Sequence, residues 1–242
     1  MIGLALPGWL EAFLEFQLGL GLFVGFAVFV GWLIARVGGP WVARSEARLA
    51  RNQAGADRYG WRPGVDTDGM LTSAGRRCFS RDGRLRRVLV GEYEGRQIRM
   101  AEFLYIVRSR YFPTTYVNHL VAIELPVHLP ELVVSRQPVA EPGLLSFEGE
   151  SGAFNRQYSV ASPDHRYSSA MLHPRMMEWL LAHPELSFRI VGNLLVAYSP
   201  TPWTVPQTLA TLPALNGVAD LIPPFVLDDF GQSPPLSSAG NG

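Results

Sequence analysis

The chain has 242 residues, 48% of them hydrophobic, and its 21 basic and 21 acidic side chains give a formal net charge of zero, which with no nucleic-acid-binding motif argues against a nucleic-acid partner. Every basic residue is Arg, a bias that high-GC bacterial coding produces, and without Lys no Gly-Lys-Ser/Thr phosphate loop can exist. The single cysteine, Cys78, excludes an intramolecular disulfide and a cysteine-built zinc cage.

Residues 16–35 form twenty uncharged positions between Glu15 and Arg36, the length one helix needs to cross the roughly 30 Å hydrocarbon core of a bilayer. Twelve of them are Leu, Ile, Phe or Val, which together favour insertion by roughly 4 to 7 kcal/mol before the glycines and Gln17 are set against them. A cleaved signal peptide needs a basic start, a shorter apolar core and a small-x-small site, and none is present. No Arg precedes the span, whereas Arg36, Arg44, Arg48 and Arg51 follow it. The expectation is a single-pass protein of the cell inner membrane or plasma membrane with its C-terminal part in the cytoplasm. Gly21 and Gly25, four apart, form a small-residue row on which another helix could pack, so helix pairing and a homo-oligomer stay open.

Residues 36–57 read as a juxtamembrane helix or linker, and 58–84 as loop with one short strand at most. The charge is uneven: residues 41–119 hold 15 Arg against 8 acids, and 120–242 hold 5 Arg against 11. The basic half lies nearer the expected span in sequence. Attraction of Arg84, Arg86 and Arg87 to anionic headgroups, about 1 kcal/mol for each, makes them candidate lipid contacts. The competing reading pairs these side chains with the acidic half.

From residue 85 the pattern turns to strands: 86–94 and 97–108 joined by a tight turn at Glu94 and Gly95, 115–125 ending at Pro126, then 132–135 and 155–160. Strands at 188–191 and 194–198 read as a second hairpin turning at Gly192 and Asn193. A helix is expected over 174–182, with Pro174 in its first turn and Pro184 beyond its end. Another starts near Val205 and runs toward Ile222, broken or bent by Pro213, Asn216 and Gly217. The Ser-, Gly- and Pro-rich 231–242 reads as a disordered tail.

Candidate chemistry is sparse. Asp66, Asp68 and Gly69 start like a calcium loop but lack its later ligands and closing Glu, so they read as a polar turn. The five histidines form no metal motif, and Gly149-Glu150-Ser151-Gly152 has the wrong spacing for a nucleophile elbow. Cys78 has no partner motif and reads as structural. No cofactor is expected.

The segments Thr114-Thr115-Tyr116-Val117-Asn118-His119, Phe154-Asn155-Arg156-Gln157-Tyr158-Ser159-Val160 and His173-Pro174-Arg175-Met176-Met177-Glu178-Trp179-Leu180 together resemble uncharacterised single-pass membrane proteins of high-GC bacteria, over about residues 58–200. The resemblance implies architecture and supplies no catalytic residues. The expected fold class is therefore α+β: an N-terminal segment 1–35 with one transmembrane helix, the 36–57 linker, and a mainly antiparallel β domain over 58–230 with one or two covering helices. The expected function is a non-enzymatic scaffold or binding module at the cytoplasmic membrane face, with the lipid bilayer and a protein as partners. The alternative is an envelope-associated hydrolase or other enzyme that gathers His119, Asp164 and His165 around one pocket.

Overall fold

The computed structural model describes residues 26, 28–30, 32, 55–108, 112–199 and 203–232, in two units, Met1–Gln53 and Ala54–Gly242. In the first unit Phe26, Val28, Phe29, Val30 and Trp32 are helical. The rest of the expected span, Gly21, Gly25 and most of the 36–57 segment lie outside the described residues. Among the described residues no single helix is long and apolar enough to cross a membrane.

The second unit is an antiparallel sheet with helices on both faces, which is the α+β class expected, although several helices rather than one or two cover the sheet because both of its faces are apolar and each builds a core. Its strands are β1 (Arg62–Pro63), β2 (Arg84–Tyr93), β3 (Arg96–Arg108), β4 (Pro113–Ser135), β5 (Leu145–Phe147), β6 (Ser159–Ser162) and β7 (Phe188–Ser199). The helices are α1 (Met70–Cys78), α2 (Gly152–Gln157), α3 (His165–Met171), α4 (Pro174–Ala182), α5 (Val205–Asp220) and α6 (Pro224–Phe230). The strand order is β1-β2-β3-β4-β6-β5, with β7 paired to β4.

Strand alternation builds two cores. Val121 and Ile123 of β4 face one side, where they join Met176 and Leu180 of α4, Leu212 and Leu215 of α5 and Val226 of α6. Leu120 and Ala122 face the other, against Phe103, Val196 and the α1 residues Leu71 and Ala74. On the first side, the Tyr158 hydroxyl donates to the carbonyls of Leu180 (2.9 Å) and His183 (3.1 Å), satisfying the end of α4, and burial pushes its pKa up to about 12.

The β2–β3 turn falls where local chemistry puts it: Glu94 at φ 49° and Gly95 at φ 79° supply the two left-handed positions a two-residue hairpin needs. Helix α4 also matches its expected bounds.

Other elements differ. β4 does not stop at Pro126 but continues through Pro130 to Ser135, absorbing the strand expected at 132–135. Both prolines lie where the β4–β7 register shifts, and they fall after β3 pairing ends at Ile123 and before β6 pairing begins at Val133, so their missing N–H groups interrupt no ladder on that side. The hairpin expected at Gly192 is instead one strand, β7; Gly192, at φ 60°, pairs with Leu129 at this irregularity.

Helix α5 runs unbroken past Pro213, because the Thr204/Gln207 capping box and the burial of Val205, Leu212, Leu215 and Val218 offset the lost hydrogen bond and ring crowding of a mid-helix proline, together about 3 kcal/mol. Gly217 is there for closeness: a Cβ would stand 2.1 Å from Trp179 Cζ2.

Helix α1 occupies part of the segment read as loop, since the Asp66 carboxylate accepts from the N–H groups of Leu71 (3.1 Å) and Thr72 (2.8 Å) and holds its first turn. The strand expected at 155–160 divides into α2 and β6. Ser151 caps α2 by accepting from Phe154 N–H, and buried Phe154 anchors it. Gln232 exchanges backbone hydrogen bonds of 2.9 Å with His128, so the domain extends two residues into the segment read as tail; 233–242 lie outside the described residues.

Candidate functional site

The three arginines singled out in sequence start β2, but they are not equivalent. All three are exposed, and the difference is in their partners: among the described residues Arg84 and Arg86 form no ion pair. Arg87 sits at φ 54° at the register shift between Arg86 and Leu89, and this bulge turns its guanidinium onto Glu102 of β3, with Nη1 3.2 Å from both carboxylate oxygens. Glu102 is only 6% exposed, so the pair stabilises a charge that would otherwise be buried alone.

The polar groups of the enzyme reading are not brought together. His119 is buried on β4 opposite Glu102, with Nε2 3.9 Å from Oε1. Asp164 caps α3, its Oδ1 accepting from Arg166 N–H at 2.8 Å, and His165 begins that helix with its ring 6.3 Å from Phe147. β6, which leads into α3, joins β4 at Val133, some fourteen residues along the strand from His119.

The remaining histidines have local partners: His173 Nε2 contacts the Leu221 carbonyl at 2.9 Å, His183 Nδ1 the Trp179 carbonyl at 2.8 Å, and His128 pairs with Gln232 through its backbone. Asp66 and Asp68 serve α1 and Arg99, and among the described residues no three His, Cys, Asp or Glu side chains converge as metal ligands.

The feature that sequence reading missed is a groove of about 790 Å³ along the outer edge of β7. Ala197 and Tyr198 point to opposite faces of the strand and both line it, as do Phe79 beyond α1 and Ala214 of α5. Among the described residues β7 has β4 as its strand partner, and its other edge borders this groove.

A buried ion cluster fixes the groove floor. Arg189, 2% exposed, donates to Glu131 Oε1 at 2.8 Å and to Glu141 of the following loop, while Glu131 also accepts from Arg77 of α1. Burial works against the Arg189 charge, but hydrogen bonding and attraction to Glu141, with attraction to Glu131, hold its pKa above the usual value. Cys78 lies beside this cluster, and burial pushes its thiol up to about 12, leaving it neutral and a poor nucleophile at pH 7. The groove thus offers a strand edge, walls of mixed apolar and polar side chains and a floor whose Arg189 cluster is internally paired.

The sequence matches no protein-family model and no curated protein sequence. Among solved structures, the crystal structure of the mycobacterial trehalose monomycolate transport factor A, TtfA, is similar in fold, with a TM-score of 0.53 and 16% identity over 77% of this chain and 98% of that one. At that identity the likeness is one of fold.

Proposed function

We propose that this chain is a membrane-anchored, non-enzymatic binding module at the cytoplasmic membrane face, and that it captures an extended segment of a protein partner on the β7 edge. The groove beside that edge carries the proposal: a strand edge offers backbone donors and acceptors in register, and flanking pockets can select alternate side chains. The separation of His119 from Asp164 and His165 supports binding over catalysis. The uncharged 16–35 segment and the arginines after it support the anchor and its orientation. The name of the similar structure, a transport factor, also suits an accessory that handles partners. The resemblance to single-pass membrane proteins of high-GC bacteria points the same way.

The test places a photo-crosslinking amino acid at Thr211, inside the groove, and at Glu148, an exposed position outside its lining. In intact cells a discrete partner is captured from Thr211, not from Glu148, and Ser187→Trp, which fills the groove, abolishes the capture. Equal capture from both positions refutes the site.

A further inference from the structure

We infer that the groove beside β7 recognises the carboxyl terminus of the segment it captures, with the terminal carboxylate taking the place of Glu141 on the buried Arg189. This rests on the strand-capture reading above and adds which end of the segment is held. Every ladder among the described strands is antiparallel, and antiparallel pairing is the slightly stronger kind. A segment added to β7 in that sense runs from Ser199 toward Phe188, so its carboxyl end arrives beside Arg189, the second residue of the strand. Arg189 lines the groove there together with Ser187 and the loop that carries Glu141.

The Arg189 guanidinium is only partly used. Nη1 donates to Glu131 and Nη2 to Glu141, while Nε, which shares the Nη2 edge of the planar fork, is buried with no hydrogen-bond partner among the described residues. A carboxylate seated squarely on that edge accepts from both nitrogens, the bidentate geometry in which arginine holds carboxylates best. Glu141 accepts from one, so a ligand that satisfies Nε as well relieves the cost of a buried donor left unmade. The two carboxylates on Arg189 are also unequal. Glu131 lies on β4 and is held by Arg77 too, whereas Glu141 sits on a loop, 35% exposed, and has no second cation among the described residues. The loop is pinned ahead of Glu141, by the Gln137 N–H on Ser135 Oγ at 3.0 Å and the Val139 N–H on Ser159 Oγ at 3.1 Å, so the Glu141 side chain turns to solvent while the groove wall stays in place. Exchanging one carboxylate for another keeps the buried charge balanced, which an amide or an amino terminus would not. At the rim Arg136 and Glu185 are both exposed and offset each other, leaving Arg189 as the group that selects charge.

The experiment pans the full chain, in detergent micelles, against random segments displayed at the carboxyl terminus of a carrier protein. Each selected segment is then compared as a synthetic peptide ending in a free carboxylate or in an amide. The free acid binds at least about tenfold more tightly, because a charge-assisted pair on a buried guanidinium is at stake. Glu141→Gln weakens the internal competitor and raises that ratio on the order of fivefold; Glu148→Gln, at an exposed position outside the groove lining, leaves it unchanged. Equal affinity of acid and amide overturns the proposal, as does an acid preference that Glu141→Gln does not move, binding that follows an internal Asp or Glu and tolerates the amide, or a library that yields no segment. A photo-crosslinking residue at Thr211 reports on the strand edge separately: capture of acid and amide alike removes the carboxylate site alone, and an acid preference without capture removes the strand edge alone.

Discussion

Arg189 and the arginines at the start of β2 carry the same guanidinium in opposite settings. Arg189 is sunk beneath the β7 groove between Glu131 and Glu141, which together with Arg77 balance its charge. Arg84 and Arg86 stand exposed with no ion pair among the described residues. The first kind holds the fold, and the second is left to solvent. Arg87, one residue further along, belongs with the first kind because a bulge turns it onto Glu102. A buried counter-charge, rather than residue type, sequence density or the arginine's own exposure, separates the two kinds.

The sharpest way to break this division is Arg189→Met, which keeps most of the side-chain volume and strands Glu131 and Glu141. A fully buried pair would lose 3–5 kcal/mol. Because Glu141 can turn to solvent and Glu131 keeps Arg77, the expected loss is about 2–3 kcal/mol, read as a lower denaturation midpoint at unchanged m-value. Adding Glu131→Gln and Glu141→Gln restores part of it. A loss under half a unit would show that the cluster is solvated and the contrast false.

Arg87→Gln comes next. Glu102 is left without its guanidinium in a site 6% exposed, and the expected cost is about 1–2 kcal/mol; Gln keeps a Cβ at the left-handed position, so the backbone cost there is unchanged. Urea denaturation of Arg87→Gln and of the double variant with Glu102→Gln checks it: the second change recovers stability if the buried carboxylate is the cause.

The Arg99 pair with Asp68 is intermediate, half-exposed and screened by salt. Burial opposes the Asp68 charge, but its hydrogen bonds from Arg99 and the Met70 N–H and the Arg99 charge outweigh that and hold the carboxyl below its usual value of 3.8. A carboxylate depressed in the folded state contributes stability that is present above its unfolded pKa and disappears as pH falls through the folded one. The stability gap between wild type and Asp68→Asn is therefore a few tenths of a kcal/mol at pH 6 and closes as pH falls from the usual carboxylate range through the lowered folded pKa. A gap that widens in acid would reverse the sign of the argument.

What was legible in the sequence was local. The Glu94-Gly95 turn and the helix between Pro174 and Pro184 are specified within a few residues, and both formed as expected. Pro126, Pro130 and Gly192 carry the usual signs of strand ends, and their tolerance depends on which neighbour reaches that stretch of β4, a fact of topology. Helix α1 escaped notice because its cap, Asp66, lies well ahead of the first helical residue and looked like part of a turn. The groove could not be read at all, since Phe79, Ser135, Arg189, Tyr198 and Ala214 meet only after the sheet closes around them. Arg84, Arg86 and Arg87 were indistinguishable as letters; the register shift tells them apart.

The smallest effect is the most discriminating. Arg84→Gln with Arg86→Gln removes two charges from an exposed strand end, and a solvated side chain with no ion pair gives up almost nothing on substitution, so stability should stay within about 0.5 kcal/mol of wild type. Thermal and urea midpoints measured beside those of Arg87→Gln check this, because the three positions share composition, strand and sequence neighbourhood. If the double variant loses as much as Arg87→Gln, the exposed pair is structural and the basic end is not reserved for a surface. If stability holds while attachment to anionic vesicles weakens, the two guanidinium groups act outside the fold, and their gain of about 1 kcal/mol each comes from the negatively charged layer rather than from any interaction within the domain.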